Sequence, residues 1–337
     1  MGYKADYMVY NFRKFGSYGR DCDFDLDSRF EERRTRKTRE IEFFLYAAKN
    51  YDIFHLHSGC GLLSPTYPVC ESLSELKFLK RLGKKIVISW WGCSDVRIPE
   101  ANGEYSYFAC YECADDIKKT CMAPSKKEML KKAFEYGDRQ LSAGDLAAYC
   151  EDIKWMDNAI DCDEWKPLKY DDIPGPFRLP ATDRIRIYHS FANSQERGDI
   201  KGTRHIKAAV ERLREEGYRV ELIFFGKIPN KELKYFQAQA DIVVDQLKAG
   251  WYGSTAIECL SMAKPVVTYI DPKVERIITR QHPLINANIN NIFEVLKNLL
   301  DNIERLKEIG EKSREYALRH HHYVNVAKNL ETVYNSI

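Results

Sequence analysis

Short apolar runs alternate with amphipathic stretches through the C-terminal half of the chain. Ile185–His189 (IRIYH), Val220–Phe225 (VELIFF), Ile242–Asp245 (IVVD) and Pro265–Ile270 (PVVTYI) lack the polar alternation of a half-exposed strand, so they read as strands buried on both faces. Gly202–Glu216 sets Ile206, Ala209, Val210 and Leu213 at the i, i+3, i+4, i+7 spacing of one helix face, and Gly217 ends it. Helices over Lys231–Ala240 and Thr255–Ala263 fill the next two gaps. Regular alternation of strand and helix predicts an α/β fold with a parallel, doubly wound sheet, which binds ligands beyond the carboxyl ends of its strands.

The N-terminal half carries the same rhythm less cleanly. Ile53–His57 (IFHLH) and Ile86–Trp90 (IVISW) read as strands with a helix over Ser72–Leu82 between them. A helix over Lys126–Tyr136 leads to a further strand at Arg139–Ser142. Trp165–Pro180 holds four prolines and one glycine and reads as a linker. The expected organisation is therefore residues 1–165 as one Rossmann-like domain with a cysteine-containing insertion near 93–121, a linker over 166–180, and 181–315 as a second such domain. Helical pattern runs from about Ile292 to the end, with 316–337 crossing back to the first domain.

A chain of 337 residues is long enough for two cores, and 44% hydrophobic with 30% charged residues fits that reading. The formal charge of +2 is too balanced to argue for nucleic acid. No opening segment resembles a signal peptide and no apolar run reaches spanning length, so a cytoplasmic protein is expected, with peripheral contact at the inner membrane face left open. Ten cysteines without a secreted framework read as reduced thiols. Cys110, Cys113 and Cys121 form C-x2-C-x7-C, which fits a structural zinc with Cys93 as a fourth ligand, or three plain thiols.

The most informative stretch is Ala249–Asp271 (AGWYGSTAIECLSMAKPVVTYID). It reads as a glycine turn, a helix with one acidic residue, and a buried strand. A helix N-terminus offers unpaired N–H groups and partial positive charge, which suit a phosphate. Gly253 lets the backbone come close, and Glu258 follows about one turn later, where a carboxylate can accept from sugar hydroxyls. Diphosphate and ribose together describe a nucleotide. Arg29–Arg39 (RFEERRTRKTR) is either a solvated helix face or a contact for anionic lipid or a lipid-linked acceptor. His55 and His57 share one strand face, and either a structural or a substrate-contacting role fits them. Trp90 and Trp91 read as core and cleft wall, with sugar stacking open to Trp91; His320–His322 reads as surface.

Five segments, in order, resemble family 4 glycosyltransferases of the GT-B fold. They are YDIFHLHSG (51–59), LKRLGKKIVISWWGCSDVR (79–97), AIDCDEWKPL (159–168), ERGDIKGTRHIKAAVERL (196–213) and DIVVDQLKAGWYGSTAIECLSMAKPVVTYI (241–270). The resemblance implies two Rossmann-like domains facing a central cleft. It implies transfer of a sugar from a UDP- or GDP-sugar donor to a sugar or lipid-linked acceptor hydroxyl, with retention, in polysaccharide or glycolipid synthesis. In such enzymes a basic pair grips the diphosphate, and Arg197 and Lys201 match it; Glu258 matches the ribose-binding glutamate, and Gly253, Ser254 and Thr255 lie where backbone meets phosphate. Asp95, with Ser58, Gly59 and Arg97, follows predicted strands on the acceptor side, where it can orient the acceptor hydroxyl while the leaving phosphate takes the proton. No DxD-like pair is present, so no catalytic Mg²⁺ is expected.

Three departures stand out. The family pairs two glutamates eight positions apart, and Gly250 occupies the first position. Trp91 stands where the family often has a histidine, with Cys93 as an insertion in the following loop. The usual opening strand is not visible before Tyr3–Asn11, which resembles the second strand. These departures keep two other readings in play, a non-catalytic nucleotide-sugar-binding protein and a GT-B nucleotide-sugar epimerase; the charge balance argues against a zinc-knuckle nucleic-acid binder.

Overall fold

A computed structural model describes residues 4–9, 23–26, 33–59, 61–63, 73–91, 109–148, 151–190, 198–225, 228–278 and 280–337. The chain divides into two compact units. One comprises Met1–Ile98, Thr120–Met156 and Lys328–Ile337; the other comprises Pro99–Lys119 and Asp157–Ala327. The segment around Cys110 and Cys113 thus belongs with the second unit, and the last ten residues belong with the first.

In the first unit, β1 (Met8–Val9) and β2 (Phe24–Asp25) form a two-stranded parallel ribbon, and α1 covers Arg33–Asn50. The Tyr3–Asn11 stretch is strand only at Met8–Val9 among its described residues. A four-stranded parallel sheet follows the chain in simple order: β3 (Ile53–His57), β4 (Lys85–Trp90), β5 (Arg139–Ser142) and β6 (Ile153–Trp155). The helices α2 (Glu75–Arg81), α3 (Asp115–Met122) and α4 (Pro124–Tyr136) lie between these strands in sequence. β4 is fully interior from Ile86 to Trp90, because β3 and β5 flank it on both edges. β3 alternates instead: Phe54 and Leu56 enter the core with Leu76, Leu79 and Ile88, which leaves His55 and His57 on the opposite face.

The second unit holds β7 (Ile185–Ser190), α5 (Thr203–Glu215), β8 (Val220–Phe225), α6 (Asn230–Ala238), β9 (Ile242–Val244), α7 (Ser254–Ser261), β10 (Val266–Thr268), α8 (Pro272–Ile277), β11 (Ile285–Asn286), α9 (Ile292–Asp301) and α10 (Arg305–His320). α11 (Tyr323–Asn335) ends the chain and continues into the residues that pack with the first unit. Every strand pair in the five-stranded sheet is parallel, and the order is β11-β10-β9-β7-β8. The helix spacing foreseen for α5 holds: Ile206, Val210 and Leu213 are wholly buried with Ile187, Val244 and Leu296. Burying each such side chain contributes about 1.5–3 kcal/mol. The linker region is folded as two single turns, Tyr170–Asp172 and Gly175–Phe177. Trp165 and Ile173 bury against Met262 and Ala238, so this segment is anchored to the second unit.

Among the described residues no helix is long and apolar enough to cross a membrane.

Candidate functional site

The sheet of the second unit has a switch point. β7 pairs with β8 on one side and β9 on the other, so the chain leaves its carboxyl end in opposite directions, and the crevice beyond β7 and β9 is where such sheets take ligands. Two loops meet there, one leading into α5 and one leading into α7.

Lys201 lies in the first loop and Asp245 directly follows β9. The Lys201 ammonium donates to Asp245 Oδ1 at 2.8 Å, and the Gly253 N–H donates to Asp245 Oδ2 at 2.6 Å. Leu247 N–H donates to the Lys201 carbonyl at 3.0 Å, which ties the two loops at the main chain as well. The Asp245 side chain is fully buried, and a buried carboxylate is tolerable only with such partners. A second cation, Lys248, is 3% exposed and donates to Glu112 Oε2 at 2.6 Å and to the Asp199 carbonyl at 2.8 Å. Arg204 donates to the other Glu112 oxygen at 2.7 Å. Gly198, at φ +70°, sits so close to the Glu112 carbonyl that a Cβ would lie 2.0 Å from its oxygen. The turn at Ala109–Glu112 is therefore docked on the loop that leads into α5.

Gly253 caps α7 in extended backbone, φ −100° and ψ −172°, which any residue adopts. The left-handed turn expected of a glycine is instead at Gly250, φ +74°. Ser254 and Thr255 open α7, whose first N–H groups have no acceptor within the helix. Glu258 is 8% exposed one turn along. It accepts from Gln237 Nε2 at 2.9 Å and Asn230 Nδ2 at 3.4 Å, both on α6. Burial pushes its carboxyl up to about 7, against the opposing pull of the Gln237 hydrogen bond. Beneath the site, His189 Nδ1 faces the Val244 carbonyl at 2.8 Å and Nε2 faces the Thr203 hydroxyl at 2.9 Å. The carbonyl can only accept, so Nδ1 carries the proton; burial lowers this imidazole to about 4 and keeps it neutral.

Lys201, Gly253, Ser254, Thr255 and Glu258 thus lie in or beside the two loops at one switch point. Arg197 and Asp95, with Arg97 and Cys93, lie outside the described residues. Asp245, Lys248 and Glu112 escaped the sequence reading. For Asp245 a signal existed: an acid at the carboxyl end of an apolar strand faces the ligand edge of such a sheet. For Lys248 and Glu112 there was none, since 136 positions separate them.

Among the described residues no group of three or more His, Cys, Asp or Glu is placed to hold a metal ion, and Cys93, the fourth ligand expected beside Cys110, Cys113 and Cys121, lies outside them. Cys110 and Cys113 flank a short turn, whereas Cys121 lies on α3. The surface reading of His320–His322 is corrected. His321 is 1% exposed, with Nε2 at 2.8 Å from the Tyr252 hydroxyl and Nδ1 at 2.8 Å from the Asn158 carbonyl. Tyr252 meets Tyr316, which accepts from Arg280, and Arg280 pairs with Asp157. This buried network holds the backbone beside Gly250.

At the matching end of the first unit's sheet the chemistry differs. His55 contacts Ser89 Oγ at 2.7 Å and the Tyr334 hydroxyl at 2.7 Å through its two ring nitrogens. Burial lowers its ring to about 3. His57 stacks on it, ring centres 4.8 Å apart, and accepts the Trp91 indole N–H at 2.8 Å. Trp91 itself is 49% exposed, while Trp90 is buried as foreseen.

No family model matches the chain, and no curated protein matches it in sequence. Solved structures do match in shape. Sucrose-phosphate synthase from Thermosynechococcus elongatus superposes with a TM-score of 0.59 at 13% identity, over 91% of this chain and 79% of that one. The Anabaena protein HepE, crystallised with UDP and glucose, gives 0.59 at 11% identity, over 97% and 89%. A glycosyltransferase from Rickettsia africae gives 0.52 at 15% identity, over 91% and 83%. With its two parallel-sheet α/β units, the chain has the GT-B fold.

Proposed function

We propose that this protein is a glycosyltransferase that moves a sugar from a nucleoside-diphosphate sugar to an acceptor hydroxyl, with retention at the anomeric carbon. The observation that carries this reading is the convergence, at one switch point, of Lys201, the open N-terminus of α7 and the buried Glu258. The likeness to a protein crystallised with UDP and glucose supports it.

In this reading the bond between the anomeric carbon and the β-phosphate oxygen breaks while a bond to the acceptor oxygen forms. The acceptor proton passes to the departing diphosphate. Negative charge grows on that diphosphate, and groups that meet it there lower the barrier. Lys201 and Arg197 supply positive charge, and the N–H groups of Ser254 and Thr255 supply donors. The Gly253 N–H is already engaged by Asp245, so Asp245 holds the loop rather than the ligand. Glu258, in its ionised form, accepts from the ribose hydroxyls. Asp95 orients the acceptor. No step requires a divalent ion.

The acceptor is a saccharide or a lipid-linked saccharide, in polysaccharide or glycolipid synthesis on the cytoplasmic side. On α1, Ile41 and Leu45 lie one turn apart and are 52% and 61% exposed, beyond the basic stretch Arg33–Arg39. A basic start followed by exposed apolar side chains suits contact with an anionic bilayer.

A thermal-shift screen against UDP-, GDP- and ADP-sugars, followed by incubation of the stabilising donor with saccharide acceptors, tests the proposal. A raised melting temperature with release of nucleoside diphosphate is expected. Binding without turnover would favour the non-catalytic reading. No shift with any donor would end the nucleotide-sugar reading.

A further inference from the structure

The exposed indole of Trp91 is not accounted for by the core. It lies immediately after β4, at the carboxyl end of the first unit's parallel sheet, the edge where open sheets take ligands. Its orientation is fixed rather than left to solvent. The ring N–H is held by His57 Nδ1 at 2.8 Å, so His57 is the neutral tautomer with its proton on Nε2. The His57 ring is backed by His55, and His55 is locked in turn between Ser89 and Tyr334. Four side chains therefore hold one half-exposed aromatic surface. Ser58 beside it adopts φ +61°, a conformation that costs a non-glycine residue about 1–2 kcal/mol and is fixed by its N–H bond of 2.7 Å to the Ser89 carbonyl.

A flat indole face, half-exposed and held at its N–H by an imidazole, calls for a ligand that is polar at its rim and apolar on one face. A pyranose ring has that character. Its axial C–H groups make a hydrophobic face, while its hydroxyls lie around the edge and bond to neighbours such as His57. We infer that Trp91, positioned by His57 and His55, is a stacking platform for a pyranose ring. This rests on the glycosyltransferase reading for why a sugar arrives there, and on the first unit alone for the surface. The ring is either that of a free saccharide acceptor or that of the donor's sugar, and the chemistry of recognition is the same for both.

The indole N–H signals in a proton–nitrogen correlation spectrum of the full chain report on it directly. The chain has five tryptophans, and Trp91→Phe assigns the signal. Methyl β-D-glucopyranoside, cellobiose, UDP-glucose and UDP are the probes, with glycerol as a polar control. The Trp91 signal is expected to move saturably with the free saccharides, or with UDP-glucose and not UDP, and to ignore glycerol. The first result assigns the platform to the acceptor and the second to the donor sugar. Trp91→Ala should weaken that binding about tenfold, with Trp91→Phe between it and the parent, in the range of one aromatic contact. His57→Ala, which leaves the indole in place but unheld, should weaken it less than Trp91→Ala. Unchanged thermal melting of the variants shows that the fold survives. A Trp91 signal unmoved by every sugar in folded protein overturns the inference. A platform that binds saccharide in a protein that transfers none overturns the glycosyltransferase reading and leaves this one standing.

Discussion

The two units expose the same edge of the same kind of sheet and build opposite chemistry on it. Beyond β7 and β9, cations and acids interlock: Lys201 with Asp245, and Lys248 with Glu112 and Asp199. Beyond β3 and β4, the described groups include a stacked imidazole pair, hydroxyls and an indole, with the Glu75 carboxylate buried under the loop after β3, where it accepts from the Leu63 N–H. Parallel packing determines where a ligand can lie, because helix N-termini and loops gather at the carboxyl edge. It does not determine what binds. The residues in those loops do, and here they differ in kind, interlocked charges in one unit and an aromatic cluster in the other.

The sharpest way to break this contrast is at Lys201. Lys201→Ala should lower turnover at least about a hundredfold. It should also destabilise the second unit by about 3–5 kcal/mol, because Asp245 is left buried without its counter-ion. The double variant Lys201→Ala/Asp245→Asn removes that orphaned charge. Melting temperature should recover in it, while UDP affinity measured by calorimetry stays low. Recovery of both would mean that Lys201 serves only the fold.

Glu258 provides the next test. Its carboxyl is raised from 4.5 to about 7 by burial, so folding gains from its neutral form below about pH 4.5 and loses that gain as pH rises through 7. Glu258→Gln should accordingly be more stable than the parent at pH 8, by up to about 3 kcal/mol, and no more stable at pH 4.5. Ligand binding should run the other way. If ribose hydroxyls donate to the carboxylate, UDP affinity rises between pH 6 and 8 and binding releases a proton, visible as a buffer-dependent calorimetric heat. In Glu258→Gln affinity should fall about tenfold and the pH dependence should flatten.

Salt separates the units more gently. Raising ionic strength from about 0.05 to about 0.5 M shortens the screening length several-fold, so UDP binding should weaken, whereas saccharide binding at Trp91 should not. Equal sensitivity would erase the distinction. The smallest effect is expected at Gly250. Gly250→Glu, which introduces the glutamate that family 4 glycosyltransferases carry at the matching position, forces a side chain into φ +74°, costing about 1–2 kcal/mol of stability, and should not raise turnover.

Much of the second unit was legible because its signals are local. The i, i+3, i+4, i+7 stripe on α5 buries as spaced, and the four apolar runs became the strands β7 to β10. The first unit was harder. β6 is three residues long with Lys154 exposed, and such a strand has no pattern apart from its pairing with β5. His321 misled because three adjacent histidines look solvated, whereas burial there comes from Tyr252 and Asn158, far away in sequence. The glycine at the candidate site was legible in kind and not in place. Residue identity marks the turn, but only backbone angles distinguish Gly250 from Gly253.

By itself, the sequence determined two α/β sheets, the face each helix buries, and the helix that carries Glu258, since hydrophobic spacing and helix ends depend on neighbours a few positions away. The tertiary structure alone decided that Lys201 meets Asp245, that Glu112 reaches Lys248, and that His57 holds Trp91. Those pairs join residues 34 to 136 positions apart, and only the register of parallel strands brings such loops within hydrogen-bonding distance.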